Sequence, residues 1–171
     1  MSERSGVITM KGNPMTLVGE ELKVGQSAPD AELTAVDLSA KKISDYRGKV
    51  LIISTIPSID TGTCNTQSHR FNKEAAALGD DVVIATVSMD LPFAQKRWCG
   101  DVDSVNMDFL SDYKTHEFGK AYGLRVKELG VIARSVTVVD KEGKVVYHSI
   151  VSEIAEEPNY DEALAAAKAA L

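Results

Sequence analysis

The chain has two cysteines, Cys64 and Cys99, and the first sits where a thiol is made reactive. Thr61-Gly62-Thr63-Cys64 lies where the apolar run Val50-Leu51-Ile52-Ile53-Ser54-Thr55-Ile56 meets Pro57 and then a helical pattern, which puts the sulfur at a strand-to-helix turn. N–H groups in the first turn of a helix lack intrahelical partners and carry the positive end of its dipole. A sulfur held there is favoured as thiolate, the nucleophilic form. Thr61 precedes Cys64 by three positions, the spacing from N-cap to N3, so its hydroxyl can reach the sulfur or a ligand beside it. Pro57 pins the entry to the loop, and Gly62 lets the backbone bend tightly or approach a small ligand. The same placement also suits a Thr61 that only caps the helix and a Cys64 that is a buried small hydrophobe.

Phe71, Ala75 and Leu78 form the apolar stripe of the helix that follows, and Cys64 falls on the same stripe, so the thiol faces the sheet. His69 lies roughly 140° around that helix from Cys64 and points elsewhere. His116 and His148 cannot be placed near the sulfur by spacing, which disfavours a cysteine hydrolase without excluding it. Neither a Cys-x-x-Cys nor a His-x-x-x-His pair occurs, so a zinc site is weakly supported. A cation is easier to supply: Arg134 opens the segment Arg134-Ser135-Val136-Thr137-Val138 in alternation with two core valines. An arginine on that face needs an anion, and a thiolate at the mouth of the sheet would meet the need. The alternative is an Arg134 beyond the strand end in solvent.

Cys99 follows Phe93-Ala94-Gln95-Lys96-Arg97-Trp98 and precedes Gly100, which reads as the end of a short helix with Gly100 as its C′ residue. A disulfide with Cys64 would need elements of two separate βα units to approach, and local unfolding if they are not adjacent, because bridged Cα atoms lie within about 7 Å. A structural buried thiol is the other reading of Cys99.

The elements that must position these groups follow from periodicity. Val7–Met10 and Met15–Val18 flank the turn Lys11-Gly12-Asn13-Pro14 and predict an N-terminal β-hairpin. A strand near Ala31–Val36 and a helical turn at Ile43–Tyr46 follow. Then strand (Val50–Ile56), helix (Cys64–Leu78), strand (Val82–Met89), helix (Pro92–Trp98), strand (Met107–Leu110) and helix (His116–Tyr122) alternate, which implies right-handed crossovers and parallel pairing. Ser135–Val139 and Val145–Ile150 form a hairpin, and a last helix runs from Tyr160 to Leu171, capped by Asn159 with Glu162 three residues on. A βαβ unit followed by a ββα unit is the order of a thioredoxin-like α/β fold. Residues 1–22 read as a hairpin extension and 23–171 as the main domain.

With 171 residues and 44% hydrophobic content the chain suits one core. A net charge of −6 with scattered Lys and Arg argues against nucleic acid. No apolar stretch approaches the roughly 18 residues of a membrane span, and the N-terminus lacks the pattern of a secretory signal, so a cytoplasmic protein is expected. Two cysteines are too few for a secreted disulfide scaffold.

Pro57-Ser58-Ile59-Asp60-Thr61-Gly62-Thr63-Cys64 resembles the P-x-x-x-T-x-x-C signature of the peroxiredoxins. Its Ser-Ile-Asp-Thr-Gly form, with Asp90-Leu91-Pro92-Phe93-Ala94-Gln95 before Cys99, is similar to the bacterial thiol peroxidase subfamily. The resemblance runs from the hairpin to Ile154-Ala155-Glu156-Glu157-Pro158-Asn159-Tyr160. It implies a thioredoxin-like fold and a homodimer. It makes Cys64 the peroxidatic cysteine, Thr61 and Arg134 its activating partners, Pro57 the shield of the pocket and Cys99 the resolving cysteine. A hydroperoxide is the implied substrate and thioredoxin the reductant, with no cofactor or metal. Leu129, Val131 and Ile132 in the loop Val126–Ala133 would suit a dimer contact.

Two rival readings make different demands. A thiol–disulfide oxidoreductase shares the fold but would show Cys-x-x-Cys, where this chain has Asn65, Thr66 and Gln67 after Cys64. A thioredoxin-like binding module with incidental cysteines predicts a Cys64 no more reactive than a free thiol.

Overall fold

A computed structural model of the protein describes residues 1–101 and 107–171. The chain begins with a hairpin of β1 (Glu3–Met10) and β2 (Asn13–Val18), followed by β3 (Glu32–Ala35), β4 (Ala40–Lys42) and a 3-10 turn at Ile43–Tyr46. The strand–helix alternation is β5 (Val50–Thr55), α1 (Gly62–Leu78), β6 (Val82–Ser88), α2 (Pro92–Asp101), β7 (Met107–Ser111) and α3 (Glu117–Ala121). It ends with β8 (Arg125–Val126), β9 (Ser135–Val139), β10 (Val145–Ile150) and α4 (Tyr160–Ala169).

Every residue of β5 is buried, as a strand covered on both faces must be. It lies inside a seven-stranded mixed sheet of order β10-β9-β5-β6-β7-β3-β4. β6 pairs in parallel with both β5 and β7, and β9 runs antiparallel to β5. Alternation along β5 divides the core: Leu51 and Ile53 face one apolar cluster with Phe118 and Tyr122. Val50 and Ile52 face another with Cys64, Phe71, Trp98 and Leu164, carried on α1, α2 and α4. The expected thioredoxin-like architecture is therefore present, and Cys64 belongs to the face that carries three helices.

The hairpin joins β8 in a second small sheet and docks on the far face. Arg4 donates to the carbonyls of Gly19 and Gly123. A Cβ at Gly19 would lie 2.1 Å from Lys120 O, and one at Gly123 2.2 Å from Glu20 O, so only glycine permits this approach.

Some local expectations need correction. The hairpin turn is two residues, Lys11 and Gly12, at φ 50° and 80°, while Asn13 and Pro14 already pair with Met10 and Thr9. Two positive φ values are what a tight turn needs to match strand twist. Gly100 does not end α2, which continues to Asp101. Glycine weakens a helix interior by about 1 kcal/mol but does not stop it. In the loop 126–133, Ile132 is buried and Val131 packs on the core, because Val126 N–H bonds Val131 O and Arg125 bridges Ile132. These two residues do not offer a dimer contact; Leu129 is exposed.

Candidate active site

The loop leaving β5 is held from the neighbouring strand. Ser58 Oγ and Ile59 N–H donate to Asp90 at 2.7 Å each, and Ser88 Oγ donates to the same carboxylate at 2.6 Å. Asp90 thereby fixes the loop that delivers Thr61 to the start of α1. Thr61 is the N-cap, with extended φ and ψ. Its hydroxyl oxygen accepts Cys64 N–H at 3.4 Å and its own O–H donates to Ser58 O at 3.3 Å. Pro57 lies just beyond β5 and is half-buried.

Cys64 sits in the first turn of α1 and is fully buried. Arg134, immediately before β9, is 2% exposed, and its Nη2 donates to Cys64 Sγ at 3.2 Å. The remaining guanidinium donors are also used: Nε and Nη2 both reach Ile154 O, at 3.1 and 3.0 Å, and Nη1 reaches Gln67 Oε1 at 2.8 Å. Gln67 in turn donates to Ser54 Oγ at 2.7 Å. A buried guanidinium with neutral acceptors on two sides and a sulfur on the third keeps its charge available to the sulfur. The reading of Arg134 as lying beyond the strand end in solvent is set aside.

Cys99 is half-buried and no disulfide joins it to Cys64. The side of α2 towards α1 is occupied by its neighbour: Trp98 Nε1 donates to Asn65 Oδ1 at 2.6 Å, and the indole packs against His69 and Phe109. One position along a helix turns a side chain by about 100°. Cys99 accordingly lines a different cavity, with Val36, Lys41, Met107 and Phe109. An exposed pair, Arg97 Nη2 to Asp60 Oδ1 at 2.6 Å, adds a second link between α2 and the loop before α1. Beside it runs a groove of about 440 Å³ lined by Ile59, Asp60, Thr61, Gly62, Asn65, Arg97 and Trp98.

The histidines are committed elsewhere. His69 packs on Trp98, His116 bonds Arg125, and His148 pairs with Thr137 Oγ1 at 2.8 Å, where burial pushes its pKa down to about 4. Gln67 and the Ile154 carbonyl are the site groups that spacing did not single out. Gln67 had a signal, since it follows Cys64 by three residues on the same helix face; a backbone carbonyl leaves none.

The sequence profile of the Redoxin family matches residues 23–164. The chain is 54% identical to the thiol peroxidase of Bacillus subtilis over 162 residues, covering 95% of this chain and 96% of that one. It is 51% identical to the thiol peroxidase of Halalkalibacterium halodurans over 164 residues, covering 96% and 98%. A crystal structure of a peroxiredoxin-like protein from Aquifex aeolicus superposes with a TM-score of 0.90 at 43% identity, covering 97% of this chain and 98% of that one. A thiol at a capped helix start, an arginine on its sulfur and likeness over nearly the whole length agree: the chain belongs to the redoxin family, in its thiol peroxidase branch.

Proposed function

We propose that this thiol peroxidase reduces hydrogen peroxide and organic hydroperoxides at Cys64, with Cys99 as the resolving cysteine and thioredoxin as the reductant. The observation that carries the reading is the 3.2 Å contact from Arg134 Nη2 to Cys64 Sγ inside a buried site. A cation on the sulfur favours thiolate over thiol, and only the thiolate attacks.

In the first step the Cys64 thiolate attacks the terminal oxygen of the hydroperoxide in line with the O–O bond. That bond breaks, its electron pair stays on the departing oxygen, and a proton makes it an alcohol or water. Sulfur is oxidised to sulfenic acid. Arg134 and the Cys64 N–H are placed to stabilise the charge that develops, and the Thr61 hydroxyl is free to turn from Ser58 O to the peroxide. Pro57 shields the pocket from water.

In the second step the Cys99 sulfur attacks the Cys64 sulfenic sulfur, the S–O bond breaks and water leaves. Because Cys99 and Trp98 face different sides of α2, the end of that helix must unwind first. A dithiol protein then reduces the Cys64–Cys99 disulfide by exchange, in a reducing compartment such as the cytoplasm. Residues 1–22 serve as an extension of the 23–171 domain. The homodimer is supported by Leu91 and Phe93, 51% and 65% exposed at the start of α2, an apolar surface beside the site for a second copy.

The test is paired substitution under stopped flow with two peroxides of different bulk. Cys64→Ser should abolish peroxide consumption, and Cys99→Ser should form sulfenic acid once but fail to turn over with a dithiol. Full activity in the Cys64→Ser protein sinks the proposal. Sedimentation of the wild-type and Phe93→Glu proteins tests the dimer.

A further inference from the structure

Ile154 contributes its carbonyl to both Arg134 Nε and Nη2, so one backbone oxygen grips two of the three guanidinium nitrogens, Gln67 holding the third. That oxygen lies in residues 151–155, outside any strand or helix. Something other than regular secondary structure must hold it still.

The hold comes from the N-terminal hairpin on one side. Thr9 N–H bonds Ser152 O at 2.7 Å and Ile154 N–H bonds Thr9 O at 2.9 Å, with Thr9 and Glu153 bridged in parallel. The Glu153 side chain then closes over the hairpin tip. It accepts Thr9 Oγ1–H at 2.7 Å, Lys11 N–H at 3.1 Å and Gly12 N–H at 3.2 Å, and Ala155 N–H at 3.5 Å from its own segment. Lys11 and Gly12 are the two positive-φ residues of the turn, and their N–H groups both point at the carboxylate. On the other side, Thr63 Oγ1 of α1 donates to Ala155 O at 3.0 Å, and Val151 N–H bonds Arg134 O at 2.9 Å. The segment spans from the hairpin to the helix that carries Cys64.

We infer that Glu153 is a positioning residue for the peroxide step: by clamping the hairpin turn to residues 151–155 it fixes the Ile154 carbonyl, and through it the Arg134 guanidinium against the Cys64 sulfur. This rests on the proposed role of Arg134. The chemistry calls for a carboxylate, because three of the four groups converging on the side chain are backbone N–H donors, at least one on each carboxylate oxygen, and only the Thr9 hydroxyl could accept. An amide would turn an NH2 towards N–H donors. The Thr9 hydroxyl, followed by the Gly12 and Lys11 N–H groups, holds the Glu153 carboxyl below the usual carboxylate range, so it is ionised at neutral pH.

Glu153→Ala should lower the rate constant for Cys64 oxidation roughly five-fold, the worth of about one net hydrogen bond, and move the midpoint of the pH–rate profile to higher pH. The subsequent rate of disulfide formation should not change. Thr9→Val, which removes the 2.7 Å bond, should act in the same direction more weakly, and it carries the test if the alanine variant does not fold. The double variant with Arg134→Ala separates positioning from general loosening: Glu153→Ala should have no further effect on the pH midpoint once the guanidinium is gone. An unshifted midpoint in both Glu153→Ala and Thr9→Val, or an equal effect with and without Arg134, overturns the inference. If Arg134→Ala alone leaves the profile unmoved, the role of Arg134 itself has failed, and the inference falls with it for that separate reason.

Discussion

Trp98 Nε1 donates to Asn65 Oδ1 at 2.6 Å, bonding the residue before one cysteine to the residue after the other. The two helices that must separate for Cys64 and Cys99 to meet are thus joined at the point where the sulfurs are attached. In the proposed mechanism, reactivity towards peroxide needs α1 folded, since the cap and the arginine act only there. Resolution by Cys99 would need the end of α2 released, so the bond would set how long the sulfenic acid waits.

Trp98→Phe keeps a ring between His69 and Phe109 but removes the donor together with part of a buried indole. Asn65 is half-buried and water can take the vacated site, so the lost hydrogen bond alone releases about 1 kcal/mol and the lost packing adds to it; the opening equilibrium rises at least roughly five-fold. Disulfide formation should accelerate by that factor, and the fraction of Cys64 driven on to sulfinic acid at high peroxide should fall. Trp98 is the only tryptophan, so quenched flow with mass detection replaces fluorescence. An unchanged rate of disulfide formation would show that the bond does not restrain α2.

The neighbouring pair behaves differently. Arg97 and Asp60 have side chains 63% and 60% exposed, and such pairs contribute about 0–1 kcal/mol, screened by salt. Arg97→Ala should change the resolution rate less than Trp98→Phe does, by at most about five-fold, and raising the salt concentration should erase the difference from wild type. A larger, salt-independent effect in the same quenched-flow measurement would reverse the ranking of the two links.

How far the sequence revealed this site depended on the range over which each residue acts. Thr61 and Cys64 were legible because a cap and its helix are three residues apart, and Arg134 because strand alternation puts it on the face of Val136 and Val138, which lie in the Cys64 cluster. The Trp98–Asn65 bond was not, because it depends on where α1 and α2 come together, a tertiary property with no period. Ala40–Lys42 and Arg125–Val126 are too short to display alternation. Gly100 misled because a lone glycine is a weak stop signal: it costs a helix about 1 kcal/mol, and α2 runs through it to Asp101.

Gln67 offers a prediction about stability and chemistry together. Its Oε1 accepts Arg134 Nη1 and its Nε2 donates to Ser54, with all three residues buried. Gln67→Leu leaves a guanidinium N–H and a hydroxyl without their partner, at a cost of about 1–3 kcal/mol. The melting temperature of the reduced protein should drop accordingly. The Ile154 carbonyl still holds Nε and Nη2, so peroxide reactivity should fall less than in Arg134→Ala. Equal loss in both variants would mean that Gln67, not Ile154, orients the arginine.

His148 makes stability depend on pH. Burial lowers its pKa from 6.5 to about 4, so between those values the unfolded chain binds a proton that the folded protein does not. Stability therefore rises with pH through this window and is lost as pH falls from 6.5 towards 4, by as much as about 3 kcal/mol. His148→Asn keeps an acceptor for Thr137 Oγ1 and removes the titration. Urea unfolding of the wild type and the variant at pH 7 and pH 5 should show the wild type losing more stability than the variant on acidification. Parallel losses in the two proteins would place the acid sensitivity in other groups and leave His148 without a part in it.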